Sequence, residues 1–137
     1  MFGKHALLSR KKEASSRRIL IVESDISIAY FLQQALSDET PHHTACVTTA
    51  TEALELTRSL KPDLLLLNRH LVDGNGIKLY DQLQARRDLK DTPVILLSTT
   101  QKYDEDEIGS RDLIGLDLPI DIDELLQTVE KCFDLPC

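Results

Sequence analysis

Tryptophan is absent from the chain, and three Tyr and three Phe are the only aromatics among its 137 residues. So sparse a set offers no stacking platform for nucleic-acid bases. Cysteine is scarce and odd in number: Cys46, Cys132 and Cys137 are widely spaced and form no CxxC pair. That excludes a disulfide scaffold and a zinc ribbon, and it fits a reducing cytoplasm. No apolar run approaches the ~20 residues of a membrane helix. The N-terminal segment is positively charged, but its longest apolar stretch is Ala6-Leu7-Leu8, too short for the apolar centre of a signal peptide. A glycine-rich phosphate loop is missing as well. After the first apolar run stands Glu23-Ser24-Asp25-Ile26, and no GxxxxGK[ST] occurs anywhere. No Ser/His/Asp arrangement can be placed either. The sequence therefore assigns no catalytic residue and points away from an enzyme.

What is present is an acidic body behind a basic leader. The formal net charge is −7, from 16 Lys and Arg against 23 Asp and Glu. Residues 1–18 hold six bases and one acid, a net +5, and residues 19–137 hold ten bases and twenty-two acids, a net −12. The body is long enough for one domain with a proper core and too short for two. A hydrophobic fraction of 42% fits a globular protein. The expected organisation is a basic, disordered leader over 1–17, a domain over 18–134 and a tail over 135–137. The leader reads first as a solubilising extension. It could also serve as an arm for nucleic acid or anionic lipid, or as a strap onto the acidic body. An acidic body disfavours nucleic acid as a partner except through residues 1–18.

Short apolar runs alternate with segments of helical period. Arg18-Ile19-Leu20-Ile21-Val22 reads as a strand, and Ile28, Phe31, Leu32, Ala35 and Leu36 recur at the spacing of a helix face. His43 to Val47 is a weaker strand, and His42-His43 after Pro41 reads as a surface turn. Ala50, Ala53, Leu54, Thr57 and Leu60 predict a helix capped by Thr49 or Thr51 and stopped by Pro62. Leu64 to Leu67 is the third strand, and Asp73-Gly74-Asn75-Gly76 is a strong turn signal. A helix follows through Ile77, Leu79, Tyr80 and Leu83. Pro93 to Leu97 is the fourth strand, Lys102 to Arg111 a short polar helix, and Leu113 to Leu118 a fifth strand weakened by Gly115. Ile122, Leu125, Leu126, Val129 and Phe133 predict a final helix, with Asp121 or Asp123 near its start. Five strand–helix units with continuously apolar strands point to a parallel sheet covered on both faces. Such a sheet carries its functional site at the carboxyl ends of its strands.

The segments at those ends, "ILIVESD", "PDLLLLNRHLVDGNG", "TPVILLST" and "LDLPID", resemble the response-regulator receiver domains of two-component signalling, in order and spacing. The resemblance runs over roughly Arg18 to Phe133. It implies an α/β fold with a five-stranded parallel sheet, order 2-1-3-4-5, and helices on both faces (flavodoxin-like). It also implies which positions have changed. Where the family places a phosphoaccepting Asp after the third strand, this chain has Asn68. The acidic pair that holds Mg²⁺ is represented by Glu23 and Ser24. The Lys before Pro119 is Leu118, and the aromatic switch position on the fifth strand is Gly115. The hydroxyl after the fourth strand survives as Ser98.

An Asn amide has neither the charge nor the nucleophilicity of a carboxylate. Glu23, even helped by Asn68 and His70, is a thin oxygen set for Mg²⁺, so binding is expected to be weak or absent, with no other cofactor. Leu118 offers nothing to the oxygens of a transferred phosphoryl group. The changes are mutually consistent, because a Lys at 118 would have lost two carboxylate partners. The expectation is a pseudo-receiver in a phosphorelay network, acting by contacts with a protein such as a histidine kinase or another regulator, or with a second copy. Its contact face would be the last helix, the fifth strand and the polar fourth helix. The short stretch after the final helix implies output through a partner. Alternatives are a phospho-switch using Asp25 or Asp73, a role for Asp73 in turn chemistry alone, docking of a basic partner on Asp104-Glu105-Asp106-Glu107, and a nucleic-acid protein led by its basic arm.

Overall fold

The structure is a computed structural model that describes residues 16–98, 109 and 111–134. The leader before Ser16, the acidic run 104–107, most of the expected polar helix, and the tail with Cys137 lie outside the described residues. The element order is β1 (Arg18–Val22), α1 (Ile26–Glu39), β2 (His43–Val47), α2 (Ala50–Leu56), β3 (Leu64–Asn68), β4 (His70–Leu71), β5 (Gly74–Asn75), α3 (Gly76–Gln84), a 3₁₀ turn (Arg87–Leu89), β6 (Val94–Ser98), β7 (Ile114–Asp117) and α4 (Ile122–Asp134).

Five strands form one sheet in the order β2-β1-β3-β6-β7, with every neighbouring pair parallel. Counting only these five, the order is the expected 2-1-3-4-5. The apolar runs divide by the two-residue period of a strand. Leu20, Val22, Leu65, Leu67, Val94 and Leu96 pack with α2 and α3 residues, among them Ala53, Ile77, Tyr80 and Leu83. Ile19, Ile21, Leu64, Leu66, Ile95 and Leu97 pack on the opposite face with Leu32, Leu36, Leu125 and Val129 of α1 and α4. The continuous runs thus serve two cores at once. No described helix is long and apolar enough to cross a membrane.

Three local expectations change. The periodic spacing through Leu60 suggested a longer second helix, but α2 stops at Leu56. Thr57 Oγ1 donates to Ala53 O at 2.7 Å, and the Arg86 guanidinium donates to Leu54 O and to Thr57 Oγ1. Arg86 thereby satisfies Leu54 O, a carbonyl that a further turn would have used. Phe31, placed on the core face by its spacing, is 49% exposed, while Ala29 takes a buried position beside Leu32 and Leu36. His42 is not in a surface turn. It is buried, with Nδ1 accepting from Arg17 N at 3.1 Å, Nε2 3.2 Å from Glu130 Oε1, and its ring edge-on to Phe133. The turn signal that begins at Asp73 agrees with the structure, where the chain reverses in an antiparallel hairpin with His70 opposite Asn75 and Leu71 opposite Gly74.

Candidate functional site

Three loops meet at the carboxyl edge of the sheet. Register places Asn68 of β3 beside Leu97 of β6, and Ser98 beside Asp117 of β7. Glu23 follows β1 and is fixed by its N–H, which donates to Val47 O at 3.0 Å. Parallel pairing therefore brings together residues that are 45 positions apart in sequence.

Asn68 and Glu23 are both buried, and they bond directly: Asn68 Nδ2 donates to Glu23 Oε1 at 2.6 Å. The second Glu23 oxygen accepts from Asp25 N at 3.0 Å, and Asn68 Oδ1 accepts from His70 N at 2.9 Å. Every polar atom of the pair except one amide hydrogen then has a named partner. His70 joins the group through its backbone; its side chain is exposed. Among the described residues no group of three His, Cys, Asp or Glu is placed to hold a metal ion.

Ser24 is the residue whose role sequence reasoning missed. Its hydroxyl donates to Thr48 O at 2.6 Å and accepts from Val72 N at 2.9 Å. It thus fastens the hairpin loop to the loop before α2. Asp73 makes a second fastening. Its carboxylate accepts from Ala50 N (2.8 Å), Thr51 N (3.1 Å) and Thr51 Oγ1 (2.9 Å). Asp73 stands in the turn of the hairpin, as its place before Gly74 suggests, and its carboxylate also bonds the first N–H groups of a helix 22 residues upstream, where negative charge suits the helix dipole. No pattern in the sequence signals either contact, since each depends on two loops meeting.

Hydrogen bonds from Ala50 and Thr51 lower the Asp73 pKa below its ordinary 3.8. A carboxylate depressed in the folded state stabilises the fold above its unfolded pKa, and this contribution disappears as pH falls through the folded value. Unfolding measured between pH 5 and pH 2.5 should therefore show a steeper acid limb for the natural chain than for Asp73→Ala. The Arg111 side-chain hydrogen bond likewise lowers Asp81, so part of the limb persists in that variant. Burial, followed by the nearby Glu23 charge, raises the Cys46 thiol, which keeps it protonated at neutral pH.

The remaining expected positions lie nearby on other elements. Ser98 is fully buried, and its carbonyl accepts from Leu118 N at 2.9 Å. Leu118 precedes Pro119 through a cis peptide bond, and its side chain packs against the α1–α4 core. Gly115 lies exposed on β7, opposite Leu96. Gly76 explains the close approach of hairpin and strand. A Cβ on it would lie 2.5 Å from Asn68 O, and its N–H donates to Arg69 O at 2.7 Å.

Comparison with known proteins agrees with the fold. Residues 19–130 match the family described as the response regulator receiver domain. The DNA-binding response regulator MtrA of Mycobacterium leprae is 38% identical over 88 residues, covering 64% of this chain and 36% of that protein. The chain thus spans about a third of the length of the first curated relatives it matches. The polar-differentiation response regulator DivK of Brucella ovis is 26% identical over 118 residues, covering 85% of this chain and 95% of that protein. Among solved structures, a sensor protein from Polaromonas sp. JS666 superposes with a TM-score of 0.78 at 26% identity, covering 86% of this chain and 96% of that one. With the parallel sheet, its strand order and the match over residues 19–130 in agreement, the chain belongs to the response regulator receiver domain family.

Proposed function

We propose that the chain is a pseudo-receiver in two-component signalling, working through protein contacts without phosphorylation of its own. The observation that carries this reading is the 2.6 Å bond from Asn68 Nδ2 to Glu23 Oε1. At the point where an acceptor carboxylate would stand, an amide donates into the remaining acid. An amide does not form an acyl phosphate. Mg²⁺ prefers several oxygen ligands with at least one carboxylate. Here both Glu23 oxygens already accept hydrogen bonds, and an N–H₂ group points where a cation would need an oxygen. This donor set does not fit the metal. Leu118 and the bridging Ser24 point the same way.

Output then passes through a partner surface, with a histidine kinase, another regulator or a second copy as the candidate classes. The alternative acceptors are less favoured by geometry. Asp25 caps α1 by accepting from Ile28 N, and Asp73 accepts from Ala50 N and Thr51 N at the start of α2. Incubation with acetyl phosphate and Mg²⁺, followed by intact-mass measurement, should show no added phosphate. A hydroxylamine-labile phosphate would end the proposal, and its loss in Asp25→Asn or Asp73→Asn would establish the alternative acceptor.

A further inference from the structure

Helix α1 and the loop 118–120 enclose a groove of about 640 Å³ at the carboxyl edge of the sheet, lined by Ser27, Ile28, Phe31, Leu118, Pro119 and Ile120. All but Ser27 are apolar. On the same helix Ile26 and Tyr30 stand 75% and 54% exposed, and Gln34 is exposed in line with them. Residues four apart form one ridge of a helix surface, and this ridge borders the row of Ser27 and Phe31. One face therefore presents a projection and a hollow side by side. An isologous interface needs that combination, because the same patch must serve as both halves of the contact.

Charge narrows the choice of partner. The twelve residues from Ile26 to Ser37 include no charged side chain, although 28% of the whole chain is charged and residues 19–137 carry a net −12. The groove walls are uncharged too, with Leu118 standing where the family places a Lys. Close to a two-fold axis each side chain meets its own copy, so any charge there would meet its own sign. A face built for a basic partner would instead display the acids of this chain. Here Asp25, Asp38 and Glu39 are kept to the two ends of α1.

Area fits the same occupant. The exposed parts of Ile26, Tyr30 and Phe31 come to about 400 Å². The groove walls add to this, against the ~800 Å² that each partner gives to a standard interface. The patch is large enough for a dimer of modest affinity.

We infer that α1 is the contact face between two copies of this chain. The two α1 helices cross antiparallel, and the Ile26–Tyr30 ridge of each seats in the groove of the other, against Phe31 and Ile120. Ridges of residues four apart interlock at a crossing angle of about −50°. With the axis near Tyr30, that angle carries the acidic ends of both helices apart. The loss of Lys at position 118 gains a second consequence, since it clears the groove of a charge. The inference selects one of the partner classes of the proposed function, and it rests on that reading for its meaning in signalling.

The test is analytical ultracentrifugation of the full chain without a phosphodonor. A monomer–dimer equilibrium is expected, with a dissociation constant on the order of 10–100 µM. Added NaCl should tighten it, because salt screens the repulsion between two acidic bodies. Ile26→Glu and Tyr30→Glu should each weaken association about tenfold or more. Ile114→Glu, which alters an exposed apolar residue on β7, should leave association unchanged. Urea midpoints of all three variants check that the fold is intact. In a sample mixing labelled and unlabelled copies, cross-peaks between Ile26 and Ile120 methyls should arise between copies. A chain that stays monomeric at millimolar concentration would overturn the inference. A dimer that survives Tyr30→Glu, or that Ile114→Glu abolishes, would place the interface elsewhere and overturn it too. Neither result bears on the acetyl phosphate experiment, so the dimer and the pseudo-receiver reading can fail separately.

Discussion

Asn68→Asp is expected to lower the stability of the protein by about 3 kcal/mol at pH 7, because it replaces a donor to buried Glu23 with a second buried carboxylate. The oxygen that takes the place of Asn68 Nδ2 would start 2.6 Å from Glu23 Oε1. Two carboxylates so close cannot both ionise cheaply, so the pair holds one proton above the ordinary carboxylate range. The sign follows. A folded-state pKa raised above the unfolded value of about 4 leaves the variant unpenalised at lower pH and penalised as pH rises through the raised value. Urea unfolding of variant and natural chain should therefore diverge at pH 7 and converge near pH 4. No divergence at pH 7 would remove the Asn68–Glu23 bond from the account. Adding Ser24→Asp and Leu118→Lys should make stability respond to Mg²⁺ and rebuild phosphoacceptance from acetyl phosphate. The rebuilt site carries a cost of its own. A carboxylate at position 24 can accept from Val72 N but cannot donate to Thr48 O as the hydroxyl does.

Gly76→Ala is the second large effect expected. Its Cβ would meet Asn68 O at 2.5 Å, the Asn68 carbonyl carbon at 3.2 Å and Arg69 Cα at 3.1 Å. All three are backbone atoms of the strand end and cannot swing away as a flexible side chain would. The hairpin must then lift, and a loss of about 3 kcal/mol is expected. Gly74→Ala is the matched control, two residues earlier, on the hairpin that leads into α3. A Cβ there meets nothing within 4 Å, and neither glycine has a positive φ. Its effect should stay within about 0.5 kcal/mol. Equal losses at the two positions, measured by urea unfolding, would point to helix propensity or chain entropy instead of steric closure. Lifting the hairpin should also strain the Val72–Ser24 bond, so amide exchange at Val72 should rise in Gly76→Ala and remain unchanged in Gly74→Ala.

The architecture was legible because it rests on local periodicity. Leu64 to Leu67 could be read as a strand buried on both faces, and Ile122, Leu125, Val129 and Phe133 as a helix face, without knowledge of any partner. The positions of the site were legible through four segments in register with a known family. Their connections were not. Nothing near Ser24 in sequence announces Thr48 or Val72, and Asp73 reads as a turn former alone until the start of α2 is seen beside it. His42 beside Pro41 looks solvated until Phe133 and Glu130 arrive from the other end of the chain. Phe31 kept its periodic place, but the neighbouring loop at Leu118 to Ile120 leaves a groove above it. Each miss involves contact between residues far apart in sequence, and pattern spacing carries no information about such contacts.

The buried imidazole of His42 has one more consequence. It touches Arg17 just before the first strand and Phe133 near the end of the last helix. The domain's entrance and exit therefore lie side by side. A unit built this way can be spliced into a surface loop of another protein without prising that loop apart, or have its ends joined and be reopened elsewhere. In such uses one edge-on contact between two rings, not the sheet, would set the geometry of the junction.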